Sequence, residues 1–365
     1  MDKLNTKHLM FIIWGTCIIA MKTYPNVFII QGGRDSWISV IIASILLFLF
    51  FAYILFVCKR TNCYNMDEIY HKALGKSIGN IFLILFIITL IVSLIESSSV
   101  EANALHLNML SDTPPWFFLL FILIPGIYIT KKGTRAIIIV TIIGISLIMV
   151  AGINLSVLTA KYKNLNYLLP IMADGVTPSF ILSIIKALGC YGGIGICIPF
   201  LSRVANKSKI TKHCFIALLI VIQMEIVATI GILTTFGIVR AVSINYPKLI
   251  QTQLVSYFSF LEGGEFFVML QMVGGWFIKY ILTLYAIVIL FKKLSIFNKY
   301  WIYIITLFVF IVSYFISAKV LLLYKFLNLY TYFNLLNFIL IPTIVFSIFH
   351  FKIKKINTRN HRTKL

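Results

Sequence analysis

The sequence predicts an all-α integral membrane protein of about ten spans, built as two five-span halves whose first helices are broken. Three observations carry this. Of the 365 residues, 60% are hydrophobic and only 12% are charged, where a soluble domain has about 25% charged residues. The apolar residues gather into runs of the length that a ~30 Å hydrocarbon core demands of a helix. Finally, the basic residues concentrate on alternate connectors between those runs. One soluble core would leave too much of this apolar surface in water. Backbone groups in lipid must pair internally, which leaves helices or closed barrels. Barrel strands alternate polar and apolar residues, and runs such as Ile137–Leu147 do not alternate.

Taken in order, the spans are expected at 9–30, 37–58, 80–105, 115–130, 135–158, 178–200, 212–239, 264–291, 301–318 and 329–351. The first run carries Lys22 and Pro25 and has no small-residue cleavage site after it, so it reads as a retained span and not as a signal peptide. Connectors are short, which makes residues 1–365 one membrane domain with a basic tail at 352–365. On one side lie Lys3, Lys7, Lys59, Arg60, Lys72, Lys76, Lys131, Lys132, Arg135, the Arg203–Lys212 cluster, Lys292, Lys293, Lys299 and the tail, 22 basic residues in all. The other side has 7: Arg34, Lys161, Lys163, Arg240, Lys248, Lys319 and Lys325. This bias places both termini in the cytoplasm. The net charge of +21 is therefore a topology signal facing the lipid bilayer, and nucleic acid is not an expected partner.

Six cysteines, Cys17, Cys58, Cys63, Cys190, Cys197 and Cys214, form no C-x-x-C pair and fall in or beside apolar runs. They read as small buried hydrophobes. Neither a disulfide, a metal site nor a cofactor is expected. No Walker loop, G-x-S-x-G elbow or H-E-x-x-H occurs, and no nucleophile–base–orienter set is visible. An enzyme is not expected.

Spans one and six are the most interrupted, and they correspond when ten spans divide into five plus five. Span one contains Gly15-Thr16-Cys17, then Lys22 and Pro25; span six contains Gly189-Cys190-Tyr191-Gly192-Gly193-Ile194-Gly195, then Pro199. Matching breaks in two inverted repeats mark the binding sites of transporters. Close helix packing by small residues is the alternative for the glycines. Six ionisable residues fall inside runs: Lys22, Glu96, Glu101, Lys186, Glu225 and Lys279. Each costs about 2.5–3.5 kcal/mol at mid-membrane on insertion scales, so each should face protein or water. Glu96 shares a helical face with Ser93, Val92 and Asn103, whereas Glu101 is rotated from it by about 140°. A structural ion pair and a ligand contact are both open for these groups, and Lys22 and Lys186 lie where a lysine would snorkel.

The local motifs resemble those of GerAB-type spore germination proteins, the B subunits of spore germinant receptors, a branch of the amino acid–polyamine–organocation superfamily. The resemblance is carried by Trp14-Gly15-Thr16 through Gly33-Arg34-Asp35-Ser36-Trp37-Ile38-Ser39, by Asn166-Tyr167-Leu168-Leu169-Pro170 through Asp174-Gly175 to Pro178, by Glu96 through Glu101, and by Tyr246-Pro247, Ser259-Phe260 and Glu265 leading to Trp276-Phe277-Ile278-Lys279. The chain departs from the family pattern at Gly193, where a glutamate usually follows an aromatic-glycine pair, at Leu261-Glu262-Gly263-Gly264, where a Glu-Arg pair is common, and at Lys22, where a proline is common. The resemblance implies a LeuT-like 5+5 fold with helices one and six broken. It also implies a nutrient sensor in the inner membrane of the spore, partnered by A-type and C-type receptor subunits. An amino acid permease on the same fold and a non-binding scaffold subunit are the alternatives.

A small-molecule germinant is expected between the breaks. Backbone freed around Gly15, Thr16 and Cys17 and around Tyr191, Gly192 and Gly193 would hold a carboxylate and an ammonium. Glu96 is expected to face a polar cavity shared with spans one, six and eight. Val92 and Tyr285 would bound the side-chain pocket, with Lys279 and Thr283 contributing polar contacts from span eight. With Gly193 in place of an acid, a small neutral ligand held mainly by backbone is expected.

Overall fold

A computed structural model describes residues 4–257, 261–262 and 265–362. Ser259, Phe260, Gly263 and Gly264 of the motifs above, and the terminal Lys3 and Lys364, lie outside the described residues. The chain is almost wholly helical. Span one comprises α1 (Thr6–Cys17), α2 (Ala20–Thr23) and α3 (Asn26–Gly32). Helical bonding lapses at Ile18–Ile19 and again at Tyr24–Pro25. Gly33, at φ +56°, turns the chain into α4 (Ser36–Thr61), the second span. The short α5 (Met66–Leu74) precedes α6 (Lys76–Asn108), the third span. Spans four and five are α7 (Pro115–Lys132) and α8 (Thr134–Leu158). Span six runs from α9 (Pro178–Cys190) through a 3-10 stretch, Tyr191–Cys197, into α10 (Ile198–Leu201). Span seven is α11 (Ile210–Ser243), kinked at Gly237, whose φ is +64°. After α12 (Pro247–Gln253), Ser256–Tyr257 and Leu261–Glu262 pair as a minimal antiparallel ribbon. Spans eight and nine are α13 (Glu265–Lys293) and α14 (Trp301–Ser317). Span ten joins α15 (Val320–Asn334) to α16 (Ile341–Arg362) through a π-helical turn, Leu335–Leu340.

Among the described residues, eight helical runs are long and apolar enough to cross a bilayer. The broken first span and the 17-residue α14 bring the bundle to ten. Span ten starts at Val320, nine residues earlier than its hydropathy suggested, because Lys325 and Asn328 sit within the helix and depress the apolar signal. The lipid side is readable on α8, where Ile139, Ile143, Leu147, Val150, Ile153 and Val157 are all exposed at helical spacing. By contrast, α13 is buried along most of its length and packs against α6, α7 and α8. It is the central pillar.

The basic connectors share one face. Leu4 pairs with Arg203 and Ala205 of the 6–7 connector, and Thr6 bonds to His213. Lys207 stands 4.7 Å over the Tyr64 ring, joining that connector to the one before α5. From the other termini, Lys352 donates to the Ala73 carbonyl and Lys293 to Asn65. The opposite face is tied by Arg34 to the Leu169 carbonyl, by Asp35 accepting from the Met172 amide, and by Tyr324 to the Asn245 carbonyl. The alternation read from charge is thus an alternation in space.

Candidate functional site

The breaks in span one and span six meet at the centre of the bundle, beside α6 and α13. Glu96, projecting from the middle of α6, is fully buried. Lys279 of α13 donates to its Oε1 at 2.8 Å and its Oε2 at 2.6 Å. The Tyr24 hydroxyl, at the second lapse of span one, donates to Oε1 at 2.5 Å. Ser93 adds a longer contact of 3.4 Å to Oε2. The Lys279 ammonium also lies 5.0 Å over the Trp276 ring and 6.0 Å from that of Tyr330. Tyr24 in turn stacks on Trp276, with ring centroids 6.1 Å apart and 16° between the planes. A buried ion pair survives in a low dielectric only when its remaining donors and acceptors are also engaged. Here a phenol, a hydroxyl and aromatic faces engage them. Spans one, three, eight and ten are bound into one polar knot.

The glycines of span six have two separate jobs. A Cβ on Gly189, Gly192 or Gly195 would meet the Thr331 carbonyl oxygen at 2.2 Å, Asn334 Cβ at 2.7 Å or Phe338 Cβ at 2.5 Å. These three form the groove into which span ten fits. Gly193 points the other way, and a Cβ there would lie 2.4 Å from the Thr16 carbonyl oxygen of span one. An acid at that position has no room on this backbone. Close packing and loss of α-helical bonding therefore coincide, since the 3-10 stretch packs against the π-helical turn of span ten.

The other expected site residues divide. Thr16 lies at the span-one/span-six contact, its hydroxyl on the Ile12 carbonyl at 3.0 Å and 3.2 Å from Cys197 Sγ. Cys17 is buried beside it. Gly15 faces α13, where a Cβ would meet Ile278 Cγ2 at 2.7 Å. The Tyr191 hydroxyl turns to α4 and bonds Ser44 Oγ at 2.8 Å. Thr283 spends its hydroxyl on the Lys279 carbonyl, 2.7 Å away. Tyr285 is carried toward the basic face, where it bonds Thr134 and packs near Phe200. Val92 is only partly buried and takes no part in the knot. Lys186 bonds Asn328 at 2.8 Å and does not snorkel. Glu101 and Glu225 are buried, and Glu101 Oε2 and both Glu225 oxygens lack a hydrogen-bond partner among the described residues. Tyr24, Trp276 and Tyr330 were not anticipated. The three-residue spacing of Trp276 and Lys279, one helical turn, was the available signal.

The model for a family described as spore germination protein matches residues 3–320. The chain belongs to this family. Among curated members, spore germination protein XB of Bacillus anthracis is 24% identical over 265 residues, covering 70% of this chain and 72% of that one. Spore germination protein KB of Bacillus subtilis (strain 168) is 24% identical over 284 residues, covering 72% of each. Among solved structures, that of MhsT in complex with L-phenylalanine superposes with a TM-score of 0.72 at 13% identity, covering 94% of this chain and 88% of that one. The fold is therefore that of a LeuT-like transporter, and the family is permease-like and not an enzyme class.

Proposed function

We propose that this chain is the nutrient-sensing membrane subunit of a spore germinant receptor, with its ligand bound where the broken first and sixth spans meet α6 and α13. The observation that carries this is the Tyr24–Glu96–Lys279 knot, which ties a broken segment of span one to two packed spans. An amino acid, neutral overall, carries both charges of that pair, so the charged pair holds it, and not mainly the backbone as expected from Gly193. Its ammonium can replace Lys279 at Glu96, and its carboxylate can replace Glu96 at Lys279. Both buried charges then stay compensated while α6, with Tyr24 of span one bonded to it, is released from α13. A ligand that binds the parted arrangement better shifts the equilibrium toward it, as a sensor requires. Gly15, Thr16, Cys17 and Gly193 supply the adjoining backbone, with Gly192 and Tyr191 holding span six and Thr283 one turn below Lys279. Val92 and Tyr285 are peripheral to this arrangement.

In this proposal the chain resides in the inner membrane of the spore with both termini cytoplasmic, and acts with A-type and C-type receptor subunits. Amino acid transport is the second function, favoured by the likeness to MhsT, whose structure holds L-phenylalanine. The two separate by uptake of labelled amino acids into liposomes containing the purified protein. A sensor binds without net uptake; sustained uptake makes the chain a transporter.

A further inference from the structure

A cleft of about 350 Å³ lies outside the central knot, between α8 and α11. Among the described residues these two helices scarcely touch, although α1 packs against both. The size is at the lower end of small-molecule pockets. Lys22, Lys163 and Lys248 line it, and among the described residues no carboxylate lines it. Lys22, on α2, is buried, and the charge of the buried Glu225 acts on it. Lys163 arrives from the connector after α8, its Cε 3.7 Å from where a Cβ of Gly231 would stand. Lys248 of α12 donates to Gln251 at 2.7 Å, and Gln251 in turn donates to the Gly231 carbonyl at 3.0 Å. The two lysines thus converge on one turn of α11. Lys248 lies beyond the spans; burial, then the ammonium groups of Lys22 and Lys163, push its pKa down to about 7. Three like charges crowd together, and the buried Glu225 carboxylate counters that of Lys22 only. The outer rim is aliphatic, and its Ile153 and Val157 belong to the exposed stripe of α8.

We propose that this cleft binds a small organic anion, a carboxylate or phosphate on a short aliphatic body, with the three lysines holding the anion and the α8–α11 rim taking the body. Gln223 and Gln271, which also line the cleft, offer amide donors to the same group. The anion can come from the aqueous phase or from the headgroup of an anionic phospholipid entering beside Ile153. This site is independent of the central one and of the sensing proposal, since none of its lysines belongs to the Glu96 knot.

The test uses the purified full-length protein in detergent, with hexanoate as probe and hexanamide as its neutral counterpart. Hexanoate is expected to raise the unfolding temperature in a saturable way, and hexanamide is not. In a Lys163→Gln, Lys248→Gln double variant the half-saturating concentration should rise about a hundred-fold or more, because two charge-assisted contacts are lost. The corresponding double arginine variant should restore the response, which separates lost charge from disturbed folding. Nanodiscs distinguish the sources. If phosphatidylglycerol discs, unlike phosphatidylcholine discs, abolish the hexanoate shift, the occupant is a lipid headgroup; if the shift persists in both, it is a soluble anion. Equal stabilisation by hexanoate and hexanamide, or an unchanged half-saturating concentration in the glutamine variant, overturns the site.

Discussion

Removing one partner of the central ion pair should be far more damaging than removing both. Glu96 and Lys279 are fully buried, with contacts of 2.6 and 2.8 Å. Lys279→Met leaves a carboxylate in a dry site with only the Tyr24 phenol and Ser93 for company. Glu96→Gln leaves an ammonium facing aromatic rings. Each single change strands a buried charge, which costs about 3–5 kcal/mol. The Glu96→Gln, Lys279→Met double variant strands none, and its glutamine still accepts from Tyr24. Its cost should stay under about 2 kcal/mol, since a neutral replacement of a buried pair is often tolerated. The coupling in the double-mutant cycle is then several kcal/mol, well above the ~0.5 kcal/mol scatter of independent sites. Denaturant titration of the purified protein in mixed micelles measures it. Additive costs, with each single variant losing under about 1 kcal/mol, would refute the knot as described.

Restoring an acid at the sixth-span position, Gly193→Glu, should destabilise by at least the ~1–3 kcal/mol of an overpacked site, because its Cβ falls 2.4 Å from the Thr16 carbonyl; a thermal melt checks this, and an unchanged midpoint contradicts it. Hexanoate affinity should increase as pH falls from 8 to 6, because Lys248 takes up its proton near 7 and a charged ammonium holds the anion better. Calorimetry in buffers of different ionisation enthalpy should show proton uptake on binding near pH 8, and no uptake there would oppose it. Single cysteines introduced at Lys3 and Lys364 should be labelled only after the membrane is opened, because the bias of 22 basic residues to 7 in the sequence places both ends in the cytoplasm. Labelling of either in sealed cells would invert the topology.

Much of the fold was legible in the sequence because bilayer thickness fixes run length, and the cost of buried charge fixes where lysines fall. Span ten was misplaced at its start because Lys325 and Asn328 are polar residues inside a helix. For the site, Glu96 and Lys279 were each recognisable as intramembrane charges needing protein neighbours. Their pairing was not, since it joins α6 to α13 across 183 positions, and helical periodicity carries no information between spans. Tyr24 was hidden because an aromatic in an apolar run looks like core. Tyr285 shows the limit of same-helix reasoning: six residues beyond Lys279, it stands about 9 Å further along the axis, at Thr134 and Phe200. The glycines were half legible. Their smallness was evident, but only the structure assigns Gly189, Gly192 and Gly195 to span ten and Gly193 to span one.

Sensing at the central knot is tested most directly by the nutrient dose–response of spores in which this chain supplies the only receptor of its type, wild type against the Glu96→Gln, Lys279→Met double variant. That variant is expected to fold and reach the membrane at wild-type levels, yet it lacks both charges that a bound amino acid would engage. The half-maximal nutrient concentration should rise by at least about a hundred-fold, two charge-assisted contacts having been lost, or the response should vanish. An unchanged dose–response with the variant present at normal abundance would place the ligand elsewhere and leave the knot a structural clasp.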